Sequence, residues 1–150
     1  MKLTNNFTLS ELTDSNTALR LGIDNEPNEQ QLIHLTLLCE RILQPLRDEL
    51  GESITITSGL RNEALNTAIG GSKSSDHCKG LAADIQCSDN KILFDTIIAL
   101  NLPYSQLIWE FGTSEAPKWV HVALDLNDIP KRQLLKAFKQ DGKTKYNAIL

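Results

Sequence analysis

The chain has 150 residues, a size that suits one domain built around one core. Hydrophobic residues make up 41% and the net charge is −4, an ordinary globular balance with no overall basic footprint for nucleic acid. The three cysteines, Cys39, Cys78 and Cys87, lack paired spacing, which argues against a disulfide framework.

Phe7-Thr8-Leu9-Ser10-Glu11-Leu12 opens a helix, with Thr8 as N-cap, Glu11 completing a capping box and Phe7 and Leu12 as a hydrophobic staple. Gly22 closes this region, and Asn25 to Asn28, with Pro27, is a linker. From Glu29 to Leu50 apolar residues recur at threes and fours through Leu32, Leu35, Cys39, Ile42, Leu46 and Leu50. Pro45 is expected to kink or divide that helix. Cys39 and Cys87 fall on apolar faces and read as core; His34, beside the stripe, is assigned no role.

Ile54 to Thr57 alternates and is β-branched, a strand. Asn62 caps a short helix over Glu63 to Ile69, and a polar loop runs from Ser72 to Lys79. Leu81 to Cys87 is the next strand, followed by a helix from a Ser88 cap to about Leu100. Gln106 to Phe111 and Trp119 to Leu124 form a hairpin with a long loop. The tail is ambiguous. Arg132 to Phe138 suits a helix, yet Asp141-Gly142 is a hairpin turn signal and Thr144 and Tyr146 favour strand, so a hairpin is preferred. Lys131, Arg132, Lys136, Lys139, Lys143 and Lys145 crowd this tail, which reads as a solvated basic face.

Strand parity brings the polar residues together. If Leu107, Trp109 and Phe111 share the core face of one strand and Val120, Val122 and Leu124 that of the next, Glu110 and His121 point the other way. Asp84 likewise points away from the face of Leu81, Ala83, Ile85 and Cys87. His77, Asp84 and His121 are all good ligands for zinc, and three protein ligands leave a fourth position for water. Cys78, next to His77, is treated as incidental.

Three motifs carry a resemblance: T-S-G-L-R at Thr57 to Arg61, S-x-H-x-x-G-x-A-x-D at Ser75 to Asp84, and W-V-H at Trp119 to His121. In this order and spacing the chain resembles the zinc D-alanyl-D-alanine carboxypeptidase family, in particular its small single-domain branch that includes phage endolysins. The resemblance covers roughly Phe7 to Leu124. It implies an α+β fold with a small central antiparallel sheet and flanking helices, shared with the Hedgehog signalling domain. Residues 1–150 are then one domain, with a core over about 7–125 and a basic extension over about 128–150.

The resemblance further implies Zn2+ held by His77, Asp84 and His121, with Arg61, Ser75 and Trp119 contacting substrate. A bidentate guanidinium suits a carboxylate. One position departs: Lys118 stands where many relatives carry an acidic residue three places before the last zinc histidine. Glu110 is therefore the expected general base, on the parity of its strand, with Glu115 next. The implied activity is hydrolysis of peptidoglycan stem peptides by a zinc-activated water, as a D,D-carboxypeptidase or an endopeptidase. The alternative is a non-catalytic, zinc-stabilised binding module of the same fold.

The expected partner is a peptidoglycan peptide, with no nucleic acid and no membrane, and the expected state is a monomer. The first twenty residues lack an apolar signal-peptide stretch, so synthesis in the cytoplasm is expected, with the wall reached by lysis or a holin.

Overall fold

In the computed structural model, which describes residues 1–149 and not Leu150, a short ribbon precedes the first helix. β1 (Lys2–Thr4) and β2 (Phe7–Thr8) pair antiparallel and lead into α1 (Leu9–Thr13). Thr8 is its N-cap, the hydroxyl accepting from the Glu11 N–H, and Phe7 and Leu12 are both buried. α2 (Asn16–Leu21) stops at Gly22, whose left-handed backbone (φ 68°) a glycine adopts without steric cost.

The long helical pattern is divided, as Pro45 predicts, but through a π-helical turn. α3 (Glu29–Leu38) passes into a π turn (Cys39–Leu43) and then α4 (Gln44–Leu50). The Gln44 N–H bonds the Cys39 carbonyl five residues back, and Pro45 follows within the first turn of α4, where a missing N–H is tolerated. Leu35, Cys39, Ile42 and Leu46 stay buried on one side across this widening.

A six-stranded sheet takes the order β3 (Thr55–Ser58), β4 (Ala82–Gln86), β6 (Trp119–Leu124), β5 (Tyr104–Glu110), β7 (Gln133–Gln140), β8 (Lys143–Ala148). The fold is α+β, as expected. The sheet is larger than expected, and mixed rather than purely antiparallel, because β5 and β7 run parallel. The cause lies in the connection. After β6 the chain crosses the start of β5, where Asp125 N–H bonds the Pro103 carbonyl and Arg132 N–H the Tyr104 carbonyl. β7 therefore begins at the same end as β5. The tail forms the preferred hairpin, and its turn residues Asp141 and Gly142 both have positive φ (53° and 74°), as an Asp-Gly turn of this kind requires.

Four expectations at element ends are corrected. Past α5 (Glu63–Ala68), which Asn62 caps as expected, Asp89, not Ser88, caps α6 (Asn90–Ala99), because its carboxylate accepts from Lys91 and Ile92 N–H while the Ser88 hydroxyl donates to Glu52. Phe111 does not share the core face of Leu107 and Trp109. The strand ends at Glu110, and Phe111 turns at φ 56° to pack its ring against Trp119. Cys87 is half-buried at the end of β4, whereas Cys39 is fully buried; all three cysteines are free. The polar loop contains a 3-10 turn over Asp76–Lys79.

The core packs α3, α4 and α6 against the sheet face that carries Ala83, Ile85, Leu107, Trp109, Val120 and Val122. The opposite face, with Asp84, His121 and Glu110, is left for chemistry.

Candidate metal centre and active site

The three motifs are three sides of one structure. In T-S-G-L-R, which spans β3 and the turn after it, each residue has its own bond or burial. The Thr57 hydroxyl donates to the Asp84 carbonyl at 3.1 Å, and the Ser58 hydroxyl accepts from Arg61 Nε at 3.0 Å. Gly59 presses on α1: a Cβ there would lie 2.3 Å from the Leu12 carbonyl oxygen. Leu60 is buried and its N–H donates to that same Leu12 carbonyl. Arg61 reaches Asp84, with Nη2 3.2 Å from Oδ2.

The second motif makes a turn and a strand. Ser75 caps the 3-10 turn by accepting from the His77 N–H. Gly80 ends it at φ 77°, where a Cβ would lie 2.8 Å from the Gln31 carbonyl of α3. The same helix braces the turn from outside, Gln31 Nε2 donating to the Cys78 carbonyl and His34 Nδ1 to the Lys79 carbonyl. His34 thus has a structural part that the sequence did not reveal. In β4, Asp84 lies directly opposite His121 of β6, and His121 opposite Ile108 of β5.

His77, Asp84 and His121 form the group that could hold a metal, their donor atoms all within 4.8 Å of one another and all three residues buried. His77 Nδ1 faces the Gly59 carbonyl at 2.8 Å, so that nitrogen carries the hydrogen and Nε2 is left with a lone pair. Nε2 in turn lies 3.3 Å from Asp84 Oδ1. Two buried acceptors at that distance repel unless a positive charge sits between them. His121 brings a second ring nitrogen to the same oxygen: Nδ1 lies 3.0 Å from Asp84 Oδ1, and Nε2 is buried without a hydrogen-bond partner among the described residues. Tetrahedral zinc with bonds of about 2.0–2.2 Å sets its ligand atoms about 3.3 Å apart. The donor set and spacing fit such a cation.

The electrostatics agree. Burial pushes the Asp84 carboxyl up, but its close contacts with the His121 and His77 rings outweigh it and hold the group well below the usual carboxylate range. Asp84 is therefore an anion throughout the neutral range. Glu110 is one step along the sheet, opposite Trp119 and diagonal to His121. Burial lifts its carboxyl to about 7, with the His121 ring and Arg61 lowering it and Asp84 raising it. Two carboxylates with widely separated proton affinities on one face are the arrangement used for a ligand and a base.

This face floors a cleft of about 1570 Å³. Arg61, Ser75, His77, Asp84, Glu110, Trp119 and His121 all line it, so the residues expected to act on metal or substrate, Glu115 excepted, meet in one place. Arg61 arrives already bonded to a metal-ligand candidate, and Ser75 arrives as a cap. Lys118 also borders the cleft, and its N–H donates to the Glu110 carbonyl at 2.9 Å. Glu115 is exposed in the loop and is not among the lining residues.

The sequence reading missed residues of two kinds. Ser58 and Gly59 support the ligands through Arg61 and His77; the invitation to find them was their place inside T-S-G-L-R. Phe111, Lys139, Thr144 and Tyr146 line the far wall, and no local signal placed β7 and β8 there. Burial raises the proton affinity of the Tyr146 hydroxyl, and the charges of Glu110 and Asp84 add to it.

A buried donor triad that could hold a small divalent cation, with a carboxyl raised toward neutrality in the same cleft, is the kind of site that metal-dependent hydrolases use. Residues 5–123 match the family described as Peptidase M15. The chain belongs to that family, the one that contains the zinc D-alanyl-D-alanine carboxypeptidases. No curated protein matches it. Among the described residues no helix is long and apolar enough to cross a membrane.

Proposed function

We propose that the protein is a zinc peptidase that hydrolyses a peptide bond in peptidoglycan stem peptides, as a D,D-carboxypeptidase or an endopeptidase. The observation that carries the reading is the opposition of His77 Nε2 and Asp84 Oδ1 at 3.3 Å beside a His121 Nε2 that has no partner among the described residues. A site built only for stability would satisfy these atoms with hydrogen bonds.

His77, Asp84 and His121 hold the cation. Bound zinc supplies a Lewis acid and lowers the pKa of its water from about 15.7 to about 7. Glu110 receives the proton of the attacking water and delivers it to the leaving amine, a task for which a carboxyl near 7 is matched at neutral pH. Arg61 spends Nε on Ser58 and one Nη2 hydrogen on Asp84, which leaves the rest of its fork for a substrate carbonyl or carboxylate. Ser75 offers a hydroxyl and Trp119 an aromatic flank along the bound chain.

The test is digestion of purified peptidoglycan and synthetic stem peptides with and without chelator, products being identified by mass spectrometry. Released D-alanine establishes a carboxypeptidase, and an internal cut an endopeptidase. No product from protein shown to carry zinc would overturn the reading in favour of a binding module.

A further inference from the structure

The family match ends at residue 123, and β7 and β8 lie beyond it while walling the cleft. Register fixes which of their side chains face the site. Gln106, Ile108 and Glu110 of β5 stand opposite Gln133, Leu135 and Ala137 of β7. Alternation then puts Lys139 on the same face. On β8, Tyr146 stands opposite Ala137 and Thr144 opposite Lys139. Ala137 is thus a small residue between Glu110 and Tyr146, and the space above it belongs to the cleft. Tyr146 lines the cleft yet is 54% exposed, unusual for a large aromatic group that serves only packing.

Lys139 is positioned rather than loose. Its Nζ donates to Thr144 Oγ1 at 2.9 Å and lies 5.6 Å from the centre of the Phe111 ring. Phe111 packs on Trp119 with ring centres 5.4 Å apart, and it is held at φ 56°, a backbone state that costs energy for an aromatic residue. Among the described residues Lys139 forms no ion pair. An ammonium has three hydrogens, so two remain after the Thr144 bond.

We propose that Lys139, Thr144 and Tyr146 form a carboxylate-receiving subsite on the C-terminal wall of the cleft, which selects peptides bearing a carboxylate in addition to any group held by Arg61. The identity of the ligand as a peptide rests on the peptidase reading above. The ammonium supplies the charge and the phenol a second donor. The Phe111–Trp119 shelf carries the apolar part of the chain. One ammonium held beside two hydroxyls suits one carboxylate; a phosphate receptor would call for several cations converging on the same point.

The test uses the full chain, with and without zinc, and two peptides: L-Ala-γ-D-Glu-L-Lys-D-Ala-D-Ala and the same peptide with the glutamyl α-carboxylate replaced by carboxamide. Binding is followed by tryptophan fluorescence, which Trp119 in the shelf reports, and by calorimetry. The wild type is expected to favour the carboxylate peptide by about fivefold, the scale of one partly exposed ion pair. Lys139→Met is expected to bring the ratio to about one, Lys139→Arg to retain a preference, and added salt to shrink it. Equal affinities in the wild type, or a preference that survives Lys139→Met, overturn the subsite, as does failure to bind either peptide. A Lys139-dependent preference without chelator-sensitive cleavage would sustain the subsite and overturn the peptidase reading instead.

Discussion

His77 donates its Nδ1 hydrogen to the Gly59 carbonyl at 2.8 Å, and this bond decides which nitrogen of the ring faces Asp84. The Arg61 N–H closes a second bond to the His77 carbonyl at 3.1 Å, so the ligand loop and the turn after β3 hold each other. Gly59→Ala would set a methyl group 2.3 Å from the Leu12 carbonyl oxygen and push the turn outward. The expected cost is about 1–3 kcal/mol of stability, with zinc affinity falling roughly 10–100-fold as the ring loses its orientation. Chelator competition and thermal melts check both. Unchanged affinity in a destabilised variant would show that the loop alone aims His77.

Zinc should act as a stabiliser. At a free concentration of 100 times Kd the gain is about 2.7 kcal/mol, seen as a rise in melting temperature that chelator reverses. His77→Ala should abolish that rise. A variant that still gains the full shift would mean that the ion binds elsewhere.

Glu110 should mark the pH dependence of the metal-stripped protein. Its carboxyl is raised from 4.5 to about 7, chiefly by burial, so between these values the folded chain holds a proton that the unfolded chain has released. The contribution is complete below 4.5 and is lost as pH rises through about 7, with a slope of up to about 1.4 kcal/mol per pH unit. Asp84 has the opposite sign: its contribution is present above 3.8 and is lost only as pH falls below that, outside this window. Denaturant titrations of the wild type and Glu110→Gln between pH 4.5 and 7 should differ in slope, the variant being flatter. With zinc retained, Glu110→Gln should also lose about 100-fold or more in turnover. Full turnover in the variant would remove Glu110 from the mechanism.

Arg61→Lys tests whether the guanidinium fork matters beyond its charge. A lysine cannot bond Ser58 and Asp84 while presenting a planar pair of donors to substrate. A fall in kcat/KM of about tenfold or more is expected, together with weaker zinc binding from the loosened Asp84. Kinetics equal to the wild type would limit Arg61 to a simple counter-charge.

Cys39 should be unreactive in the native protein. Burial above all, with Glu11 and Glu40 adding, pushes its thiol up to about 12, and the thiolate is the reactive form. Alkylation at neutral pH followed by mass spectrometry should label Cys78 and Cys87 first and Cys39 only on unfolding. Early labelling of Cys39 would show that the α3–α4 packing opens readily.

Much of this was legible in the sequence because it depends on local periodicity. The strand parity that turns Asp84, Glu110 and His121 away from the apolar residues holds in the register of β4, β5 and β6. The long helix showed its stripe and its Pro45 interruption. The π turn was not legible, since it depends on how the chain relieves a missing N–H. Nor was the parallel β5–β7 pair: Gln133 to Gln140 has no partner written nearby, and its placement follows from where residues 125–132 cross the sheet. The support given by Ser58 and Gly59 was marked only by their place inside T-S-G-L-R, because a hydroxyl and a backbone carbonyl carry no pattern of their own. The crowded lysines of the tail looked uniform in sequence, yet strand alternation divides them, placing Lys139 toward the cleft and Lys145, opposite Phe138, on the other face.

That division bears on how copies of the protein meet one another. A sheet with open ends offers unpaired backbone groups to any neighbouring strand, and such ends are the sites where chains add to each other. Here one end is β3, only four residues long, and the other is β8, which carries Lys143 and Lys145. Two copies brought together along β8 would set ammonium groups against ammonium groups. The charge of this solvated basic face therefore also guards the sheet against templating its own aggregation.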